Sequence, residues 1–275
     1  MATKIKKGIL YAFIIVLSVL CLCPFLFLLV NATRSGPEIM TGFTLIPGSS
    51  LGENWVIVNK YLNIFRGFVN SLFIAIVTTA LSAYFSALTA YAFSMYKFRG
   101  SKVIFTVIVV FMMVPAQLGL LGFYDLVNNL GMIDSYWPLI LPAIASSGTV
   151  FFLRQYTVSV MPGAVIEAAR IDSAPEIMIF HRIALPILAP GIATISIGGF
   201  IGSWNNYLVP LVLLNTPEKF TLPVMVASLN SVTNIASNMG AIYVTVAISV
   251  VPILVAFAFF SRYIISSISS GSVKE

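Results

Sequence analysis

Long apolar runs separated by short polar segments make up most of this chain. A helix needs about 20 apolar residues to cross the roughly 30 Å hydrocarbon core of a bilayer. Six runs reach that length, and they predict transmembrane helices near residues 9–31, 69–95, 103–124, 136–156, 187–211 and 241–264. The segments between them are too short to build an independent soluble domain. The expected fold class is an all-α membrane protein with six transmembrane helices.

Composition and charge add an orientation to this prediction. Hydrophobic residues make up 59% of the chain and charged residues 9%, whereas soluble domains carry about 25% charged residues. Lysine and arginine near the ends of spans stay on the cytosolic side. With the N-terminus inside, eleven of the 15 basic residues fall on the inner side, which places residues 1–8 and 265–275 in the cytoplasm. The net charge of +6 then reflects membrane topology, and no nucleic-acid partner is needed.

The most polar inner segment, residues 161–190, joins the fourth and fifth spans. Its composition predicts a helix, a turn and a second helix. Ser173 is the expected N-cap of that second helix, with Glu176 three residues on to complete a capping box. Pro186 and Pro190 are expected to break or kink the return into the fifth span. The small Ala168 and Ala169 would let another protein approach closely, although an ordinary inner loop with helical character explains the spacing as well.

This hairpin resembles the EAA loop of ABC importer permeases. That pattern runs Glu-Ala-Ala, three residues, Gly, about nine residues, and then a hydrophobic residue, any residue, Leu and Pro. The matching residues are Glu167, Ala168, Ala169, Asp172, Ala174, Phe180, Ile183, Leu185, Pro186 and Pro190. Ser173 stands where the family usually has Gly. Because Gly eases a turn with positive φ, either the turn geometry differs here or Ser173 acts as a cap.

The resemblance extends over nearly the whole chain. It is closest to the carbohydrate-uptake branch, and specifically to the smaller six-helix permease of maltose-type systems. The segments that carry it outside the hairpin are residues 70–71, 113–115, 204–207, 210–211 and 271–274, with Glu275 departing from the usual terminal Gly. The resemblance implies a bacterial plasma (inner) membrane protein that imports a mono- or oligosaccharide by alternating access.

The resemblance also implies partners and coupling residues. The loop's short helix would sit in a cleft of a dimeric ABC ATPase that binds ATP and Mg²⁺, and the C-terminal tail would contact the same ATPase pair. The coupling residues expected on this basis are Glu167, Ala168, Ala169, Arg170, Asp172, Ser173, Ala174 and Lys274. A second homologous permease subunit, an extracytoplasmic sugar-binding protein and membrane lipid complete the expected surroundings.

The residues themselves support this division of labour. The chain has no Gly-rich phosphate loop ending in Gly-Lys-Ser or Gly-Lys-Thr, so ATP is expected to bind elsewhere. By the assigned spans no ionisable residue lies deep in the membrane, which disfavours an ion-coupled pump. His181 is interpreted as a surface or packing residue, and Cys21 and Cys23 point to different helix faces. No catalytic, cofactor or metal site is therefore expected in this chain.

A neutral sugar would need amides for its hydroxyls and aromatic faces for its C–H surface. The candidate pathway residues are Gln117, Tyr124, Trp204, Asn205, Asn206 and Tyr207. The alternative is structural, since amides often hydrogen-bond neighbouring helices and Trp and Tyr often lie at the membrane interface. A permease for a non-sugar solute, an ATP-independent channel and a structural membrane subunit remain alternatives for the whole chain.

Overall fold

The described part of the polypeptide is mostly helical. The computed structural model describes the backbone of residues 2–232 and 235–271, and within them the side chains of residues 6–115, 117–229 and 238–259. None of these residues forms a β-strand. A helix satisfies its backbone hydrogen bonds internally, as a segment in hydrocarbon must. The predicted all-α class is confirmed.

The helices follow one another with short connections. The α-helices are α1 (Ala2–Ala32), α2 (Gly36–Met40), α3 (Leu51–Tyr61), α4 (Ile64–Met95), α5 (Ser101–Met112), α6 (Leu120–Asn129), α7 (Trp137–Ile140), α8 (Ser147–Val160), α9 (Gly163–Ile171), α10 (Glu176–Ile179), α11 (Leu185–Trp204), α12 (Leu208–Leu213), α13 (Leu222–Val232) and α14 (Ile235–Gly271). Between them, the described backbone also forms 3₁₀ helices at Ala116–Gly119, Leu141–Ala145 and Pro217–Lys219 and a π-helical segment at Phe180–Ala184.

Within the described residues, five helical segments are long and apolar enough to cross a bilayer, and a bent pair makes a sixth. The five are Lys6–Ala32, Ile64–Met95, Trp137–Val160, Glu176–Trp204 and Asn238–Phe259, and the pair is Ser101–Met112 with Gln117–Asn129. The number agrees with the sequence pattern when the bent pair counts as one span.

The third apolar run does not form one straight helix. Helix α5 ends at Met112, and the chain then turns by 87° into the next helical segment. Pro115 explains the break, because it lacks an N–H group and disfavours helical backbone at Val114. Hydrophobicity predicts the length of such a run, whereas proline decides whether it stays straight.

The helix that contains the predicted fifth span begins before its apolar run. It is continuous from Glu176 to Trp204 and so includes the second arm of the 161–190 hairpin, whereas the predicted span covers residues 187–211. The chain passes Pro186 without a break, since this residue occupies the first turn of α11, where no backbone N–H is required. The π-helical segment just before it provides the wider turn.

One compact unit of the chain comprises Met1–Phe65 and Leu222–Val251. Arg34 is buried in this unit, and its guanidinium donates a hydrogen bond to the carbonyl of Glu38. Asn54 Nδ2 donates to the carbonyl of Arg34 at 2.9 Å. These hydrogen bonds help to hold helices α2 and α3 in a segment whose glycines and prolines by themselves favour turns.

The other compact unit comprises Arg66–Thr221 and Pro252–Glu275. Its core contains apolar side chains of α4, α8, α9 and the fifth span, namely Ala87, Ala90, Tyr91, Leu153, Ile166, Ile179, Phe180 and Leu188. Packing between α8 and α11 is close at Gly191, where an added Cβ would lie 2.4 Å from Cδ1 of Tyr156. This core carries the hairpin described next.

Candidate functional site

Helices α9 and α10 form a hairpin whose turn is closed by backbone hydrogen bonds. The N–H of Ser173 donates to the carbonyl of Arg170, and the N–H of Ala174 donates to the carbonyl of Ala169, each at 3.0 Å. This pair of bonds is the Schellman arrangement that ends many helices. It requires left-handed backbone at the residue after the cap, and Ser173 has φ of +58°.

The capping box predicted from the sequence is absent from this turn. Helix α10 starts at Glu176 with Pro175 as its N-cap and no side-chain cap bond. Ser173 lies instead at the end of α9, in the backbone conformation that favours glycine. Ser173 therefore does not cap α10, and it adopts the left-handed backbone that a glycine would take at this position.

The underside of the hairpin is buried against the ends of the spans. Ile166 and Phe180 are each 1% exposed, and Ile179 is fully buried. The ring centroid of Phe180 lies 5.5 Å from that of Tyr91 in α4. Because Ala169 is 9% exposed on the same underside, it is a packing residue rather than part of an open docking patch.

The opposite face of α9 is open. Glu167, Ala168, Asp172 and Ser173 are exposed, and the side chain of Ile171 is 83% exposed. An isoleucine this exposed is not held by its own chain, and it extends the small apolar patch that begins at Ala168. Ile171 does not stand out in the sequence, because its apolar character resembles that of the core residues around it.

A polar clasp holds the two arms of the hairpin together. Arg170 Nε donates to Oε1 of Glu176 at 2.7 Å across the turn. The guanidinium carbon of Arg170 also lies 5.0 Å from the ring centroid of Tyr96, just after α4. Tyr91 adds a longer contact, its hydroxyl donating to Oε2 of Glu176 at 3.5 Å. Tyr84 and Tyr91, both in α4, are seven residues apart and so lie on one face of that helix. This spacing is the signal in the sequence that could have predicted which face of α4 packs against the hairpin.

The hairpin continues directly into the fifth span. Helix α10, the π-helical segment and α11 follow without an intervening loop. His181 lies in the π-helical segment, where its Nδ1 donates to the carbonyl of Ile177 at 2.7 Å and its Nε2 pairs with the hydroxyl of Tyr84 at 3.1 Å. These contacts fit the interpretation of His181 as a packing residue, and they join the hairpin to α4.

The candidate pathway residues do not share one environment. Trp204 is 1% exposed and packs between Phe68 and Phe200, with ring centroids 5.6 and 6.1 Å away. Its indole therefore offers no open face to a solute in this conformation. Asn206 accepts a hydrogen bond at Oδ1 from the N–H of Val209 at 3.4 Å, which supports the start of α12.

The remaining pathway candidates are more open. Asn205, Tyr207 and Gln117 are exposed, and Tyr124 is half-buried. Tyr124 lies in α6, which packs beside α12, the helix that follows Tyr207. Tyr124 and Tyr207 thus lie on or next to neighbouring helices, and the pathway role of these four residues stays a prediction.

A second polar cluster ties the loop after α6 to the loop after α12. The carboxylate of Asp134 accepts hydrogen bonds from the N–H groups of Asn215 and Thr216 at 2.9 and 3.0 Å, and from Nζ of Lys219 at 2.8 Å. The bond from Lys219, followed by those from Thr216 and Asn215, holds the pKa of the Asp134 carboxyl well below its usual range. Nearby, Asn70 Nδ2 donates to the carbonyl of Glu218 at 2.9 Å, so α4 joins the same cluster.

Two further expectations from the sequence concern metal binding and the C-terminal tail. Within the described residues no group of three or more His, Cys, Asp or Glu side chains could hold a metal ion. Lys274, expected to contact an ATPase, lies outside the described residues. Every other candidate coupling residue lies in or beside the α9–α10 turn.

Comparisons with known proteins place the chain among transport components. A family model described as "Binding-protein-dependent transport system inner membrane component" matches residues 82–270. The chain is 35% identical to the arabinooligosaccharides transport system permease protein AraQ of Halalkalibacterium halodurans, over 96% of this chain and 94% of that protein. It is 30% identical to the diacetylchitobiose uptake system permease protein NgcG of Streptomyces coelicolor, over 96% of this chain and 88% of that protein.

A solved structure shows the same fold. It is the crystal structure of a bacterial ABC transporter involved in the import of the acidic polysaccharide alginate, one chain of which aligns with a TM-score of 0.82 and 20% identity. The alignment covers 96% of this chain and 98% of that one. The helical arrangement described above is therefore that of a known transporter chain along almost its entire length.

Proposed function

Because the chain belongs to the binding-protein-dependent transport system inner membrane component family, we propose that it couples ATP hydrolysis in a partner ABC ATPase dimer to import of a mono- or oligosaccharide. It is a permease subunit and not itself an enzyme. A second, homologous permease subunit completes the pathway, and an extracytoplasmic sugar-binding protein delivers the cargo. ATP and Mg²⁺ bind to the ATPase subunits.

The observation that carries this proposal is the two-sided construction of the α9–α10 hairpin. Its underside packs through Ile166 and Phe180 on the membrane helices, while Ala168 and Ile171 lie open on the other side. A helix that packs on the membrane helices with one face and exposes the other can bind a partner and transmit the partner's movement to the spans. Glu167 and Asp172 flank this apolar patch and supply directional polar contacts.

The orientation of the chain follows from its basic residues. The positive-inside bias places the α9–α10 hairpin and both termini in the cytoplasm. The Asp134 cluster then lies on the extracytoplasmic side, where the binding protein docks. Alternating access follows when closure of the ATPase dimer displaces the hairpin and the fifth span moves with it.

A sugar is the cargo that fits this chain best. Relatives at 35%, 34% and 30% identity are named as permeases for arabinooligosaccharides or diacetylchitobiose. The open pathway candidates Tyr124, Asn205 and Tyr207 carry aromatic and amide groups, which match the C–H faces and hydroxyls of a sugar. An ionic cargo would favour buried charges of the opposite sign instead.

Charge reversal on the open face of α9 tests the coupling role. We expect Glu167→Arg combined with Ala168→Glu to reduce uptake by about tenfold or more, since both side chains are exposed and the hairpin keeps its underside. The measurement is ATP-dependent uptake in membrane vesicles, together with co-purification of the ATPase. Ala169 is unsuitable for this test, because it is buried and a glutamate there would disturb the fold itself.

Lys97→Glu is the matched control, because it changes the charge of an exposed residue outside the hairpin. Uptake should stay near the wild-type level in this variant. Normal uptake and normal ATPase recovery with the double variant would contradict the coupling role. Recovery of the chain without any ATPase, even in the wild type, would support a channel or a structural subunit.

The cargo is tested separately. Cells lacking only this chain should lose uptake of one labelled oligosaccharide in a panel that includes arabinooligosaccharides and diacetylchitobiose. Uptake should return when the chain is restored. If every sugar is taken up normally while a labelled non-sugar solute is lost, the importer role stands and the sugar assignment fails.

A further inference from the structure

A cleft of about 280 Å³ opens among three membrane helices of the second compact unit. Its lining residues are Phe93 of α4, Ser101, Lys102, Phe105 and Thr106 of α5, and Arg154 of α8. The proposed function makes no use of this cleft. It combines two cations, two hydroxyls and two phenyl rings at the end of the membrane spans.

Arg154 is held in place, yet part of its hydrogen-bonding capacity is unused. Its guanidinium carbon lies 4.7 Å from the ring centroid of Phe105, and its Nη1 donates to Oε1 of Gln155 at 2.8 Å. Its Nε is buried and has no hydrogen-bond partner among the described residues. A charged donor without a partner is costly. Because Nε itself is buried, an acceptor from outside the chain would pair with the terminal nitrogens of the same guanidinium and so stabilise its charge.

The part of the chain that the structure describes places no carboxylate in an ion pair with these two cations. Residues 54–124 and 135–166 contain no aspartate or glutamate. Within the described residues neither Lys102 nor Arg154 forms an ion pair with a carboxylate. Both are also close to the N-terminal turn of α5, whose free N–H groups add positive potential. The site is therefore open to an anion.

The usual placement of basic residues at the cytosolic ends of spans accounts for only part of this geometry. Lysine and arginine at span ends commonly extend their charged groups toward water, and the exposed Lys97 fits that description. Arg154 differs, because its side chain lies against Phe105 inside a cleft with Nε buried. A residue placed this way is positioned to receive a ligand.

We propose that this cleft binds the phosphodiester of an anionic phospholipid. Lys102 supplies a point charge and Arg154 supplies planar donors, which together suit phosphate oxygens. The hydroxyl of Ser101 is a further donor at its edge, whereas that of Thr106 already donates to the carbonyl of Lys102 at 2.9 Å. Phe93 and Phe105 offer an apolar wall to the glycerol and the first acyl carbons. Basic pockets between membrane helices on the cytoplasmic side are where anionic headgroups bind, and the topology inferred from basic residues places this cleft on that side.

The test uses the full-length chain in the complex that co-purifies with it, in detergent. Phosphatidylglycerol or phosphatidylcholine is titrated in, and bound lipid is counted by native mass spectrometry. We expect retention of phosphatidylglycerol over phosphatidylcholine. Lys102→Gln and Arg154→Gln should each weaken phosphatidylglycerol binding by about fivefold, from the roughly 1 kcal/mol that one basic residue contributes. Lys97→Gln, an exposed neighbour outside the cleft, should leave binding nearly unchanged.

Several results would overturn the proposal. One is equal retention of the two lipids. Another is undiminished phosphatidylglycerol binding by both cleft variants, or an equal loss with Lys97→Gln. Displacement of the lipid by millimolar inorganic phosphate would assign the cleft to a free phosphate ester instead. If Arg154→Gln fails to fold, Lys102→Gln decides alone, because Lys102 is exposed and its replacement creates no cavity.

Discussion

Arg170 Nε and Glu176 Oε1 lie 2.7 Å apart and join the two arms of the α9–α10 hairpin across its turn. Both side chains are partly exposed, at 35% and 44%, so the pair is weaker than a buried one. A double-mutant cycle with Arg170→Gln and Glu176→Gln should give a coupling free energy of about 0.5–1 kcal/mol. The free energy of unfolding in a mixed-detergent titration provides the measurement. A coupling indistinguishable from zero would mean that the clasp contributes nothing to the hairpin.

Ser173→Gly should stabilise the chain. The residue has φ of +58°, and glycine relieves the cost of that backbone by about 1 kcal/mol. Ser173→Ala should change stability little, because the serine side chain makes no cap bond to α10. Thermal unfolding of the three proteins in detergent checks this. A large loss with alanine and none with glycine would support the N-cap interpretation instead.

Gly191→Ala should destabilise the contact between α8 and α11. The added Cβ would lie 2.4 Å from Cδ1 of Tyr156, so the ring or the helix must shift, at about 1–3 kcal/mol. Gly198→Ala, on the same helix with no atom within 4 Å of the added Cβ, is the control and should be neutral or slightly stabilising. Equal thermal midpoints for the two variants would show that this contact is not tight.

Asp134 should give a stability contribution that is constant across neutral pH. Its pKa is lowered in the folded chain, first by Lys219, so the contribution is complete above the unfolded pKa of about 3.9. It is lost progressively as the pH falls from that value toward the still lower folded pKa. The difference in thermal midpoint between wild type and Asp134→Asn should therefore stay constant from about pH 8 to pH 5 and shrink below about pH 4. A difference that disappears between pH 7 and pH 5 would contradict this.

Sequence reasoning predicted the class of fold because long apolar runs leave a chain few options in a bilayer. It could not predict how the runs begin, bend and end, since these depend on single residues. Pro115 accompanies a bend of 87°, whereas Pro186 is accommodated in the first turn of α11. Both prolines follow apolar residues, and only the three-dimensional context distinguishes them.

The sequence predicts the candidate coupling residues as one segment, but it does not predict which of them are exposed. Ala168 and Ala169 look equivalent in the sequence, yet Ala168 is exposed and Ala169 is buried. The phase of a nine-residue helix is hard to predict when small residues occupy both faces. The exposure of Trp204 is likewise not predictable from the sequence. Its indole could stack on a sugar, yet it is packed between Phe68 and Phe200.

The uninterrupted passage from α10 through the π-helical segment into α11 has a mechanical consequence. With no loop between Glu176 and Trp204, a displacement of the hairpin reaches the rest of this segment through helix alone. The π-helical segment and Pro190 interrupt the regular α-helical hydrogen bonds, so we expect bending along this length to concentrate at these two places.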